Sequence, residues 1–396
     1  MSVRCQSTSL AALAVGALAV ATLSAPPAAA AAKSPISHVV IVVQQDRGFD
    51  DLFQGYPGAD TSPDGRLCNG RSIPLAPIGL EASYSLSNTA EDAWRAIQDG
   101  CFSHERAFGD PIPPHPPYGY VPHGETTRYF AAAGAYVLAD RFFSSTVNPA
   151  FEALQYLIAA QADDALDNPV GGWGCDAPKG AYVRTFDGKR RRPCFNYRTL
   201  ADELVGAGLS WRYYVAAPGS PGGQWSAFDA IRHIRYGAAW AGVISPETTF
   251  LNDVANGTLA NVTWVLPSGA NSDAPGYQSA SGPAWVTACV DAIGTSSFWK
   301  DTVVFVVWDD FGGWSDHLVP PKLDREGLGF RAPLLVVSPY SPAGRVAHTS
   351  YEFGSVLKFA EGTFGLAPLA ASDSRANPFG KDTFDFSAPP RAFVPI

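Results

Sequence analysis

The sequence predicts an α/β fold built on a mostly parallel central sheet, and three observations carry that reading. Several runs are almost wholly apolar, as strands buried on both faces must be; HVVIVVQ at 38–44 and TVVFVVW at 302–308 are the clearest. Segments with helical spacing of apolar residues alternate with those runs, the pattern of parallel strands joined by crossover helices. The chain has 396 residues, 46% hydrophobic and 12% aromatic, enough to bury a large core, while 38 Gly and 33 Pro require many long loops.

In chain order, residues 1–32 read as a secretory signal peptide. Arg4 supplies positive charge, Leu10 to Leu23 is apolar, and Pro26-Pro27 leads into an alanine run with A-x-A cleavage options. That apolar run is short for a membrane span, and no later one reaches the ~20 residues a membrane helix needs. The expectation is a secreted or cell-envelope protein with no integral membrane segment in the mature chain, and one domain over residues 33–396. Further strands are expected at 210–215, 262–266 and 332–337, and helices at 155–163, 199–207, 285–293 and 351–359. Two loop inserts interrupt this frame, near 67–129 and 165–195.

Losing the leader removes Cys5 and leaves five cysteines. Cys175 and Cys194 bracket a turn-rich loop and are the first choice for a disulfide in an oxidising compartment; Cys68 and Cys101 are the second. Cys289 falls in the apolar helical pattern WVTACVDAI and reads as a buried thiol. No CxxC spacing occurs, which disfavours zinc–thiolate sites. A formal net charge of −9 argues against a nucleic-acid partner. The one basic run, Lys189 to Arg192, reads as a solvated patch.

Three of the apolar runs end in polar clusters. The first leads into Gln45, Asp46, Arg47, Asp50 and Asp51; the 302–308 run into Asp309-Asp310, Gly312-Gly313 and Asp316-His317; the 262–266 run into Asn271-Ser272-Asp273. In open α/β sheets ligands sit beyond the carboxyl ends of the strands. Carboxylates gathered there repel one another unless a cation neutralises them, so a divalent metal is the natural occupant. Asp also caps turns after strands. For a lone Asp that is the simpler account; for an Asp pair followed by Gly-Gly and Asp-His, the metal reading is the stronger.

The segments HVVIVVQQDRGFDDLFQGYPG, VLADRFFSSTVNPAF, WDDFGGWSDHLVPP and RAPLLVVSPYSPAGRVAHTSYEFGSVLKFAEGTFGL resemble, in order, those of the bacterial phosphoesterase family of phospholipase C and acid phosphatase type. The resemblance implies a three-layer, alkaline phosphatase-like α/β/α sandwich and hydrolysis of phosphate esters, with a divalent metal ion and a hydroxyl nucleophile. It implies metal ligands at Asp309 and Asp310, with Gln45 and Asp46 standing where the family has Glu-Asn. The nucleophile position falls on Ala150, which has no hydroxyl, and two positions that carry His in the family fall on Ala274 and Phe353. Thr146 is the nearest substitute hydroxyl. His317 is expected as a ligand or proton donor, or as a group that orients one. Arg47, Asp273 and His104 are expected near substrate, although Arg47 equally suits a pair with Asp50 or Asp51. The expected function is an exported hydrolase of phosphomonoesters or phospholipid head groups with a partly degenerate site. The alternative is an inactive family member that keeps metal or ligand binding.

Overall fold

The computed structural model describes residues 1–2, 34–147 and 149–396; the expected leader falls almost wholly outside the described residues. In the strand His38–Gln44, the five residues Val39 to Val43 are fully buried, because sheet neighbours flank it and helices cover both faces. It lies fourth in an eight-stranded sheet whose order is Val243–Ile244, Trp211–Tyr214, Val262–Val265, His38–Gln44, Thr302–Trp308, Leu334–Val337, Val137–Ala139, Arg345–Ala347. All neighbouring pairs are parallel except the two made by Leu334–Val337.

Strand Thr302–Trp308 shows how the layers form. Phe305 packs edge-on against Phe359 of helix Phe353–Phe364, with ring centres 5.3 Å apart. Trp308, three residues later and so on the opposite face, packs against Tyr129 of helix His123–Ala135 at 5.0 Å. Helix Gly282–Gly294 lies beside His123–Ala135, and helices Ala150–Ala159 and Leu200–Gly206 group with Phe353–Phe364. The result is helix, sheet, helix: the expected α/β/α sandwich.

All five expected strands lie in this sheet, with ends shifted by a residue or two. Three more strands join it that the sequence reading left out: Val137–Ala139, Val243–Ile244 and Arg345–Ala347. Each is only two or three residues long, too short to show a periodic pattern. The 67–129 insert also contains more than loop. Helix Ala90–Asp99 has a Thr89 N-cap and ends at Gly100 in the left-handed conformation (φ 64°). The 165–195 insert carries a three-stranded antiparallel sheet, Ala165–Val170, Tyr182–Thr185 and Arg190–Arg191.

Both expected disulfides form, Cys68–Cys101 and Cys175–Cys194, and Cys289 is a buried free thiol. The basic run is bound locally: Lys189 pairs with Asp187, Arg191 with Asp163, and Arg192 donates to the carbonyls of Cys175 and Ala177. Among the described residues no helix is long and apolar enough to cross a membrane. Replacing Cys68 and Cys101 by Ser should cost about 2–4 kcal/mol of stability, by loosening the unfolded chain. Urea unfolding of the double variant checks this, and an unchanged midpoint would contradict it.

Candidate metal centre

Strands His38–Gln44 and Thr302–Trp308 are parallel neighbours in a register that sets Gln44 opposite Trp308. Their next residues therefore emerge side by side at the carboxyl edge of the sheet. Asp46 adopts a left-handed conformation (φ 56°), which Asp tolerates better than most residues. Gly312 must be glycine: its φ is 64°, and an added Cβ would lie 2.0 Å from the Asp46 carbonyl oxygen. That carbonyl also accepts a hydrogen bond from Trp314 Nε1 (3.2 Å).

Asp46, Asp309 and Asp310 each present a carboxylate oxygen, and these atoms lie within 4.8 Å of one another. Asp309 Oδ1 accepts from the backbone N–H groups of Asp46 (3.0 Å) and Asp310 (2.9 Å). Asp310 Oδ1 accepts from Gly312 N–H and Asn88 Nδ2, both at 2.7 Å. One oxygen of each acid is thus pinned. Among the described residues no N–H or hydroxyl donor meets Asp309 Oδ2 or Asp310 Oδ2, although both are buried. The amide of Gln45 is fully buried as well, with neither its oxygen nor its nitrogen partnered. Buried polar atoms are normally satisfied, and those left over call for an explanation.

The electrostatics agree. Burial pushes Asp46 up to about 6, against the lowering effects of a hydrogen bond with Asp310 and the charge of Arg47; burial also holds Asp309 and Asp310 well above the usual carboxylate range, and there repulsion from the neighbouring acids adds to the rise. A divalent cation fits these donors. It would bind Asp309 Oδ2, Asp310 Oδ2 and the Asp46 carboxylate. All are hard oxygen atoms, which suit Mg²⁺, Ca²⁺ or Mn²⁺.

The structure separates several expected site residues from this cluster. Arg47 is fully buried and turned away. It pairs with Asp51 (3.2 Å), donates to the carbonyls of Asp273 and Leu80, and lies over the Trp314 ring. Of the two pairings the sequence offered, the one with Asp51 is formed. Asp273 is locked in the same interior, accepting from Tyr129 Oη (2.7 Å) and Trp308 Nε1 (2.9 Å). His104 lies beside the Cys68–Cys101 bridge, its Nδ1 3.8 Å from Cys68 Sγ, and the disulfide leaves no thiolate there for a metal. His348 bonds Asp140 on the surface.

His317 belongs to a second cluster. Its Nδ1 lies 2.6 Å from Asp50 Oδ2 and its Nε2 lies 3.1 Å from Asp60 Oδ1, and the hydrogen bond to Asp50 raises its pKa. Arg331, fully buried, already supplies the cation there, binding Asp50, Asp316 and the carbonyls of Asp60 and Asp140. The group borders a cavity of about 250 Å³ that Arg66, Phe102 and Phe330 also line.

Ala150 is the first residue of helix Ala150–Ala159 and is buried. Val147, in the segment leading to it, shares a small core with Phe311, the residue after Asp310. Thr146 is buried, its hydroxyl 3.4 Å from a Glu326 carboxylate oxygen. Phe353 is a core residue stacked edge-on against Phe142, and Ala274 is buried too. Sequence reasoning missed Asn88 and Arg331. Arg331 stands in the RAPLLVV segment that was read for its strand; Asn88 had no signal beyond its place in the Thr89 helix start.

A doubly covered sheet with carboxylates gathered at its strand ends defines an α/β protein with a candidate metal centre. The model of the Phosphoesterase family matches residues 36–367, and the chain belongs to that family. Phospholipase C B of Mycobacterium tuberculosis is 26% identical over 431 residues, covering 91% of this chain and 80% of that one. Hemolytic phospholipase C of Pseudomonas aeruginosa is 25% identical over 418 residues, covering 89% of this chain and 56% of that protein, so the chain spans about half its length. Among solved structures, a protein in the alkaline phosphatase superfamily from Vibrio parahaemolyticus aligns over 89% of this chain and 72% of its own, at 11% identity and a TM-score of 0.41.

The buried acids set a pH dependence. Burial raises Asp51 and Glu105 to about 7, and Asp46 to about 6, so the folded state keeps protons that the unfolded chain releases near pH 4. Raised acids stabilise fully below their unfolded pKa, and that contribution is lost as pH rises through the folded values. Without added metal, thermal stability should therefore fall between about pH 4 and 7. Saturating Mg²⁺ or Mn²⁺ should restore more stability at pH 8 than at pH 5, because cation and proton compete for the same oxygens. Differential scanning fluorimetry checks both arms; a metal response equal at the two pH values would contradict the assignment.

Proposed function

We propose that the chain is an exported phosphoesterase whose centre binds a divalent cation at Asp46, Asp309, Asp310 and Gln45, acting on phosphomonoesters or phospholipid head groups with weak turnover. The observation that carries this reading is the pair of buried oxygens, Asp309 Oδ2 and Asp310 Oδ2, that no donor meets among the described residues, in a group whose third carboxylate, Asp46, lies within 4.8 Å. The phospholipase C names of its relatives favour a phospholipid head group among phosphate esters, and the leader-like N-terminus favours export.

A bound divalent cation supplies positive charge that draws phosphoryl oxygens and makes nearby water more acidic. The chain's own part is to hold the carboxylates in place through backbone N–H groups and to exclude bulk water. What it lacks is a hydroxyl at position 150. The start of helix Ala150–Ala159 is also less open to an anion than a bare helix end, because Phe151 N–H is taken by Asn168 Oδ1 (3.0 Å). Glu152, two residues past Ala150, is fully buried with neither carboxyl oxygen partnered among the described residues, and burial holds its pKa well above the usual range. These features favour the second reading, a family member that retains the cation and has lost hydrolysis.

The deciding assay measures hydrolysis of a chromogenic phosphate ester with and without Mg²⁺, Mn²⁺ or Ca²⁺. The wild type should be slow and metal-dependent and should form no phosphoenzyme. Ala150→Ser should raise kcat on the order of tenfold or more by restoring a nucleophile. Fast wild-type turnover that survives Asp310→Ala would overturn the site. No turnover in either protein, with metal binding intact, would select the second reading.

A further inference from the structure

The 67–129 insert reaches the acid cluster through one side chain. Asn88 is 6% exposed, and its Nδ2 donates to Asp310 Oδ1 at 2.7 Å, while its Oδ1 is buried without a partner among the described residues. The backbone around it is fixed from three directions. Before it, strand Tyr84–Leu86 pairs with Ala107–Gly109, and Ser87 N–H donates to the Arg106 carbonyl (2.7 Å). At Asn88 itself, the backbone N–H donates to Glu105 Oε2 (3.2 Å), and φ is 40°, a left-handed conformation that Asn adopts more readily than most residues. After it, Thr89 caps helix Ala90–Asp99, and Ala90 N–H donates to Asp167 Oδ1 (2.8 Å). This is far more anchoring than a surface loop needs, and it holds one amide against one carboxylate.

We propose that Asn88 is a positioning residue for the cation site: by binding Asp310 Oδ1 it aims Asp310 Oδ2 at the cation. The proposal rests on the cation reading above. With Gly312 N–H, the Asn88 amide saturates one oxygen of Asp310 and leaves the other as donor to the metal. Both Asn88 and Gly312 act through Asp310, but only the Asn88 contact can be removed without breaking the glycine turn. Groups that orient metal ligands in this way typically change metal affinity by roughly 10- to 100-fold when removed.

The test is isothermal titration of the purified full chain with Mn²⁺, alongside thermal unfolding of the metal-free form. Asn88→Gly is the informative variant, because glycine accepts φ 40° and only the amide is lost. It should weaken Mn²⁺ binding by roughly 10- to 100-fold and leave the metal-free melting temperature close to wild type. Asn88→Ser, which keeps a short donor at the same place, should recover part of that affinity. Wild-type affinity in Asn88→Gly would overturn the positioning role while leaving the cation site standing. A loss of affinity matched by an equal loss of metal-free stability would also overturn it, since that marks a general structural role. Absence of Mn²⁺ binding in the wild type would overturn the cation reading itself.

Discussion

Asp46, Asp309 and Asp310 are held together at the ends of two adjacent parallel strands, and their mutual repulsion is the constraint around which this region is built. Strand register alone places them, since Gln44 and Trp308 are paired at the last step of the ladder. Backbone N–H groups from Asp46, Asp310 and Gly312 then bind one oxygen of each member of the Asp pair. The opposite oxygens, Asp309 Oδ2 and Asp310 Oδ2, are buried without a hydrogen-bond donor among the described residues. Among the described residues no Arg or Lys forms an ion pair with Asp309 or Asp310: Arg47 pairs with Asp51 and acts on Asp46 only through its charge, and Arg331 serves Asp50 and Asp316. On the proposed reading a bound cation would resolve this arrangement, and protonation would replace it when the cation is absent.

The two arginines show how charge is divided at this edge of the sheet. Arg47 and Arg331 are both fully buried, and each is surrounded by carboxylates and carbonyls. A buried guanidinium with its donors satisfied fixes the loops that it joins, and removing one partner leaves a costly unpaired charge. They tie the segment after strand His38–Gln44 to that before Leu334–Val337 and to the loop at Asp273. The Asp309-Asp310 pair, by contrast, forms no ion pair with an Arg or Lys among the described residues. His317, close in sequence to the Asp pair, falls on the arginine side of this division.

The sheet was legible because its strands are buried on both faces and so carry long apolar runs. The Asp309-Asp310 pair was legible for a related reason: acids rarely follow a buried strand together without a task. For Arg47 and Asp273 the sequence shows a charge near the strand ends without showing which way it points. Both are fully buried, and Tyr129 and Trp308 meet Asp273 there. Asn88 was invisible because its role depends on a contact 222 residues away in sequence, made by an insert whose Pro and Gly content suggested only loop. The substitution at Ala150 needed no structure to be noticed. The structure adds the bond from Phe151 N–H to Asn168 at the start of its helix and the buried Glu152, which has no partner among the described residues.

The central claim is that one divalent cation sits among Asp46, Asp309 and Asp310. A crystal structure of the protein soaked with Mn²⁺, with anomalous data collected for the metal, tests it most directly. The account predicts a single strong peak about 2.0–2.6 Å from Asp309 Oδ2 and Asp310 Oδ2, the range of hard-cation oxygen contacts. A peak instead at Asp50, Asp316 and His317, or none at the three acids under saturating metal, would contradict it.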